Sequence, residues 1–214
     1  AMPEQNRIMA LAALAGRGDR AAQEGVLAVL PGPGVEVSLA ALQALEALGG
    51  GQAVKAVMAM ATGADADRDV RKAAAKTLGV MSGPGVEKEL VAQMLSADVK
   101  VQAAYVKVLG ARQARGALEE LFAAARSADA GLAEEARKAI SLMVRAEDLS
   151  DVVALLVDTG DAAGLRELER IVVKAARTTA DQKVQTAAVL KALRKKMPAS
   201  ARGALLSALA QLAV

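Results

Sequence analysis

The chain contains no cysteine, no histidine and no tryptophan, and its only aromatic residues are Tyr105 and Phe122. Without thiols there is neither a disulfide nor a thiolate nucleophile, and the compartment stays open. Without imidazole the commonest metal ligand and the commonest general base are missing. The scarcity of aromatic rings removes the stacking platforms that single-stranded nucleic acids need. Asn6 is the only asparagine, so the base-edge chemistry of that side chain is absent as well. No stretch of eighteen or more apolar residues occurs, which excludes a membrane-spanning helix. These gaps argue against an enzyme, and no metal or cofactor is expected.

What remains is rich in alanine and leucine, 54% hydrophobic and 24% charged. It repeats itself. DADRDVRKAAAKTLGV (Asp65 to Val80) returns as SADVKVQAAYVKVLGA (Ser96 to Ala111) and again as SADAGLAEEARKAISL (Ser127 to Leu142). The aliphatic anchors of these copies, Val70, Val101 and Leu132, stand 31 residues apart. Weaker copies open at Asn6, Val37, Leu165 and Ala201, which makes seven anchors in all. A period of this size denotes stacked supersecondary units. The offsets 0, +3, +4, +7 and +8 from each anchor are apolar or small, one stripe at helical period. A second apolar helix precedes each anchored one, and DQKVQTAA (Asp181 to Ala188) falls in the helix before the last unit. Asp67, Asp98 and Asp129 sit three residues ahead of their anchors, placed to accept the free amide hydrogens of a first helical turn. PGPG (Pro31 to Gly34), GGG (Gly49 to Gly51) and SGPG (Ser82 to Gly85) break the chain between helices. Nothing alternates at period two, so no strand is expected.

Asp67 with Val70, Arg71, Ala73, Ala74, Leu78 and Gly79 resembles the inner-helix pattern of the HEAT-repeat family in its short bacterial form. Asp98 with Val101, Gln102, Ala104, Leu109 and Gly110 matches it less fully. The resemblance implies an all-α solenoid of about six antiparallel helix pairs, its inner helices lining a concave surface that binds another macromolecule. It brings no catalytic residues. An unbroken register implies a single repeat domain over residues 1–214, with irregular spacing from 149 to 198. The resemblance leaves bacterial cytoplasm and periplasm equally open for a soluble protein. The uncharged last helix, Gly203 to Val214, lacks the polar cap that repeat arrays need. The expectation is therefore a fragment of a longer array, or a dimer through this uncapped C-terminal helix.

Charge is uneven. Residues 165 to 202 hold ten Lys or Arg against three acids, while the whole chain sums to +3. Two candidate surfaces follow. Offset +6 carries Lys76, Lys107 and Lys138 in three consecutive units, with Lys72 (+2) and Arg137 (+5) beside them. Geometry turns these offsets away from the apolar stripe, giving a basic strip for an acidic partner, or else merely solvated lysines. The second is the basic end: Arg166, Arg170, Lys174, Arg194, Lys195 and Lys196. For both surfaces a solvated helix face is the plain reading; an acidic protein partner is the first functional one, with a phosphate backbone the alternative and an anionic membrane a further one at the basic end. Arg17-Gly18-Asp19 spells an adhesion tripeptide but falls where glycine ends one helix and aspartate caps the next.

Overall fold

The computed structural model describes residues 2–30, 32 and 34–212, so Pro31 and Pro33 of the PGPG breaker lie outside it. The molecule is all-α. Among the described residues there are thirteen α-helices and no strand. They fall into two compact units, Ala1–Arg112 and Gln113–Val214.

The first unit holds α1 (Glu4–Arg17), α2 (Gln23–Val29), α3 (Val35–Leu48), α4 (Gly51–Thr62), α5 (Arg68–Val80), α6 (Val86–Ser96) and α7 (Val99–Ala111). The second holds α8 (Leu118–Ala124), α9 (Ala130–Met143), α10 (Leu149–Asp158), α11 (Ala162–Ala176), α12 (Gln182–Leu193) and α13 (Ala199–Leu212). Every anchor lies in the first turn of a helix of the odd-numbered series. Each even-numbered helix pairs with the next one, and short connections make such neighbours antiparallel. Odd helices also stack on odd ones: α1 on α3, α3 on α5 and α5 on α7, then α9 on α11 and α11 on α13. Even helices do the same, α4 on α6 and α10 on α12. Each unit is thus a solenoid-like stack of helix pairs, in which a helix buries its stripe only against its neighbours. The phase at the C-terminus is settled by packing, since α13 stacks on α11 while α12 stacks on α10.

The expected caps form. Asp67 accepts from the amides of Asp69 and Val70, Asp98 from Lys100 and Val101, and Asp129 from Leu132. Asp161 and Asp181 cap α11 and α12 in the same way, although their spacing to an anchor differs. Gly18 ends α1 with φ of 65°, and Asp19 caps the following 3-10 turn, so the Arg-Gly-Asp tripeptide is a helix junction. The stripes pack as core: Leu42, Leu45, Leu48, Val54 and Leu78 are fully buried in the first unit, as are Ile140, Leu155, Leu168 and Leu205 in the second. Val101 is only half-buried and Asn6 is exposed, whereas the other five anchors are buried.

The slot after the anchor closes loops. Arg71 Nη1 donates to the carbonyls of Ala66 at 2.8 Å and Ala64 at 3.2 Å. Arg202 holds the carbonyls of Leu193 and Lys195, and Ser38, where arginine is replaced, donates to Leu30 O. All three reach back to the end of the preceding helix or its connection. The long gap before Ala201 is absorbed in the linker 194–198, which Arg202 clamps. Other cations satisfy the orphan carbonyls of helix ends one repeat away. Arg112 donates to Leu78 O and Met81 O, and Arg115 donates to Met143 O while pairing with Glu147 and Asp148.

The glycine breakers also pack on one another. The Gly83 amide donates to Gly49 O at 3.1 Å, and the Gly51 amide to Pro84 O at 3.0 Å. GGG and SGPG therefore form one backbone-to-backbone contact between successive repeats.

Tyr105 on α7 is buried, and burial, reinforced by the charge of Glu89, raises its phenol above the ordinary 10.0. The folded state then holds this proton more tightly than the unfolded chain does. The stability it contributes is complete below pH 10 and is lost as pH rises through the folded-state value. Tyrosinate absorbance is expected to develop above pH 10 in the native protein. Denaturant titrations should show a smaller alkaline loss for Tyr105→Phe than for the natural chain, and equal losses would contradict this.

Candidate binding surfaces

In the first unit Lys72 and Lys76 on α5 and Lys107 on α7 are all exposed. Lys76 is not free. Its ammonium lies 2.9 Å from Glu46 Oε1 on α3, a bridge between successive odd helices. Lys72 and Lys107 have no carboxylate within 4 Å among the described residues.

In the second unit the row changes character. Lys138 is exposed but sits 2.7 Å from Glu134 and 2.9 Å from Glu135 on its own helix. These hydrogen bonds raise the Lys138 ammonium above its usual range, and the bond from Lys138 lowers the Glu134 carboxyl. Arg137 corrects the expectation of an exposed side chain. It is 7% exposed, and its Nε donates to Glu167 Oε2 on α11 at 2.7 Å. The reason is geometric. A helix inside a stack is covered by its partner and by the odd helices flanking it, so a slot turned from the stripe still meets a neighbour. Arg137 is a strut between α9 and α11, and Lys138 is locally neutralised.

The basic end divides between two places. Arg166, Arg170 and Lys174 stand four residues apart on the exposed side of α11, and Arg177 extends the line just beyond it. One turn separates each from the next, about 6 Å along the axis. Their bonds run to backbone carbonyls: Arg166 to Ala162 O, Arg170 to Arg166 O, Lys174 to Ser141 O and Arg177 to Gln211 O. None has a carboxylate within 4 Å among the described residues. The two acids of α11 are engaged elsewhere, Glu167 with Arg137 and Glu169 with Ser207 and Gln211. The ridge therefore keeps most of its positive charge.

Arg194, Lys195 and Lys196 lie in the linker 194–198. With Lys191 of α12, Lys195 and Lys196 rim a groove of about 280 Å³ between α10 and α12. Its floor is Val153, Ala154, Val157, Ala188, Ala192 and Met197. Arg170, Lys174 and Arg177 instead border an open depression with Gln211, so ridge and groove are distinct surfaces. Sequence reasoning left Arg177 and Lys191 out of the basic surface. Their spacing, three residues after Lys174 and four before Lys195, was the signal available.

Among the described residues no cluster of three metal-ligating side chains occurs, and no helix is long and apolar enough to cross a membrane. No model of a known protein family matches the chain, and neither does any curated protein.

Proposed function

We propose that this chain is a HEAT-like, non-catalytic binding module that recognises an acidic protein surface with its odd-numbered helices, chiefly along α11. The observation carrying this reading is the ridge of Arg166, Arg170, Lys174 and Arg177, exposed and without carboxylate partners among the described residues. Its spacing on one rigid helix presents charges in a fixed row, which favours orientation and fast encounter with an oppositely charged face. Lys72 and Lys107 offer the same chemistry in the first unit, whereas Lys76 and Lys138 are already paired. A phosphate backbone would meet the same charges. Among the described residues the ridge has no aromatic ring beside it, and the one side-chain amide there, Gln211, already donates to Glu169, so protein is the better fit.

The test is fluorescence anisotropy at low salt with labelled polyglutamate and a labelled DNA duplex. Polyglutamate is expected to bind, and R166E/R170E/K174E to weaken that binding about tenfold or more. K191E/K195E/K196E should leave it nearly unchanged. Binding of duplex alone, with a steep salt dependence, would replace this reading by nucleic-acid recognition.

A further inference from the structure

We propose that the groove between α10 and α12 is a second, separate docking site, and that its occupant is an acidic amphipathic helix of a partner protein. The floor is apolar and shallow because Ala154, Ala188 and Ala192 place only methyl groups where larger side chains would fill the space. The volume of about 280 Å³ leaves room for leucine-sized anchors. α12 contributes little to the core, with Val189 its only fully buried side chain. Ala154 is exposed and Ala188 and Ala192 are half-buried, so the chain itself leaves this floor partly uncovered.

Charge selects the occupant. Lys191, Lys195 and Lys196 rim the apolar floor, and none has a carboxylate within 4 Å among the described residues. The one acid in the lining, Asp158, is held by Arg126 at 3.2 Å. A bound segment must bring apolar anchors and its own carboxylates together.

The mode of binding follows by elimination. Strand addition needs an open sheet edge, and the described residues contain no strand. Proline-rich ligands need aromatic walls, and this groove has none. A helix laid between two helices remains, with anchors at i and i+4 and acids on the flanks.

The probe is a fluorescent peptide with leucines at i and i+4 flanked by glutamates, compared with one twin carrying lysines for the glutamates and another carrying serines for the leucines. The acidic leucine peptide should bind saturably with Kd near tens of micromolar, and both twins at least about tenfold more weakly. K191E/K195E/K196E and the groove-filling A192W should each weaken binding about tenfold or more, while R166E/R170E/K174E leaves it intact. The lysine triple reversal changes only exposed side chains, so it serves as the test even if A192W misfolds. Equal binding of the serine twin, indifference to the lysine reversal, or no saturable binding would overturn the proposal. So would a concentration-dependent dimer dissolved by the lysine reversal, which would assign the groove to a second copy of the chain. Because the α11 reversal is read separately, failure here leaves the ridge reading standing, and the converse holds.

Discussion

Gly83→Ala is expected to destabilise the first unit by about 3 kcal/mol in urea unfolding, at the upper end for a single overpacked methyl group. A Cβ on Gly83 would lie 2.1 Å from Gly49 O and 2.8 Å from Gly50 Cα. Both are backbone atoms, and neither can rotate aside as a flexible side chain would. Relief would require the two breakers to separate, with loss of the Gly83-to-Gly49 and Gly51-to-Pro84 hydrogen bonds. Gly79 supplies the contrast, because a Cβ there meets nothing within 4 Å and the residue lies inside α5. Gly79→Ala should therefore stabilise by roughly 0.5 to 1 kcal/mol through helix propensity. A Gly83→Ala protein as stable as the natural one would show that the breakers do not touch.

Glu167→Ala is expected to cost the second unit about 3 kcal/mol, because it strands the Arg137 guanidinium where only 7% of the residue meets water. Arg137→Ala should cost a similar amount, mostly as lost packing between α9 and α11. Replacing both partners by apolar residues, R137M/E167L, should fall within about 1 kcal/mol of the natural protein, since the gain from the ion pair is offset by its desolvation. Urea titrations of the natural protein, Glu167→Ala, Arg137→Ala and the double alanine variant R137A/E167A form a double-mutant cycle. Strict additivity would mean that the 2.7 Å contact contributes nothing to stability.

The contrast between these two features explains what could be read in advance. Helix starts were legible because their chemistry is local: Asp67, Asp98 and Asp129 act on amides two or three residues away. The stripe anchored at Val70 and Leu132 was legible because period alone defines it, and its residues form the core. The fate of the lysine row was not. Glu46 lies 30 residues from Lys76, and Glu167 lies 30 from Arg137, so each pairing depends on how one repeat is rotated onto the next. The pairing of Lys138 lay within local reach, since Glu134 stands four residues before it at the spacing that favours an ion pair. The groove was hidden because α10 and α12 are distant in sequence and each looks ordinary alone. The glycine-to-glycine contact had no local signal at all, because a breaker and a packing surface are written with the same residues.

The solitary buried phenol has a practical consequence. Tyr105 belongs to the first unit, and the second contains neither tyrosine nor tryptophan. Tyrosine emission, excited where phenylalanine does not absorb, therefore watches one half of the molecule, whereas far-ultraviolet dichroism registers the helices of both. Melting curves recorded by the two signals would coincide if the halves unravel together, and their separation would measure how far each half keeps its own stability.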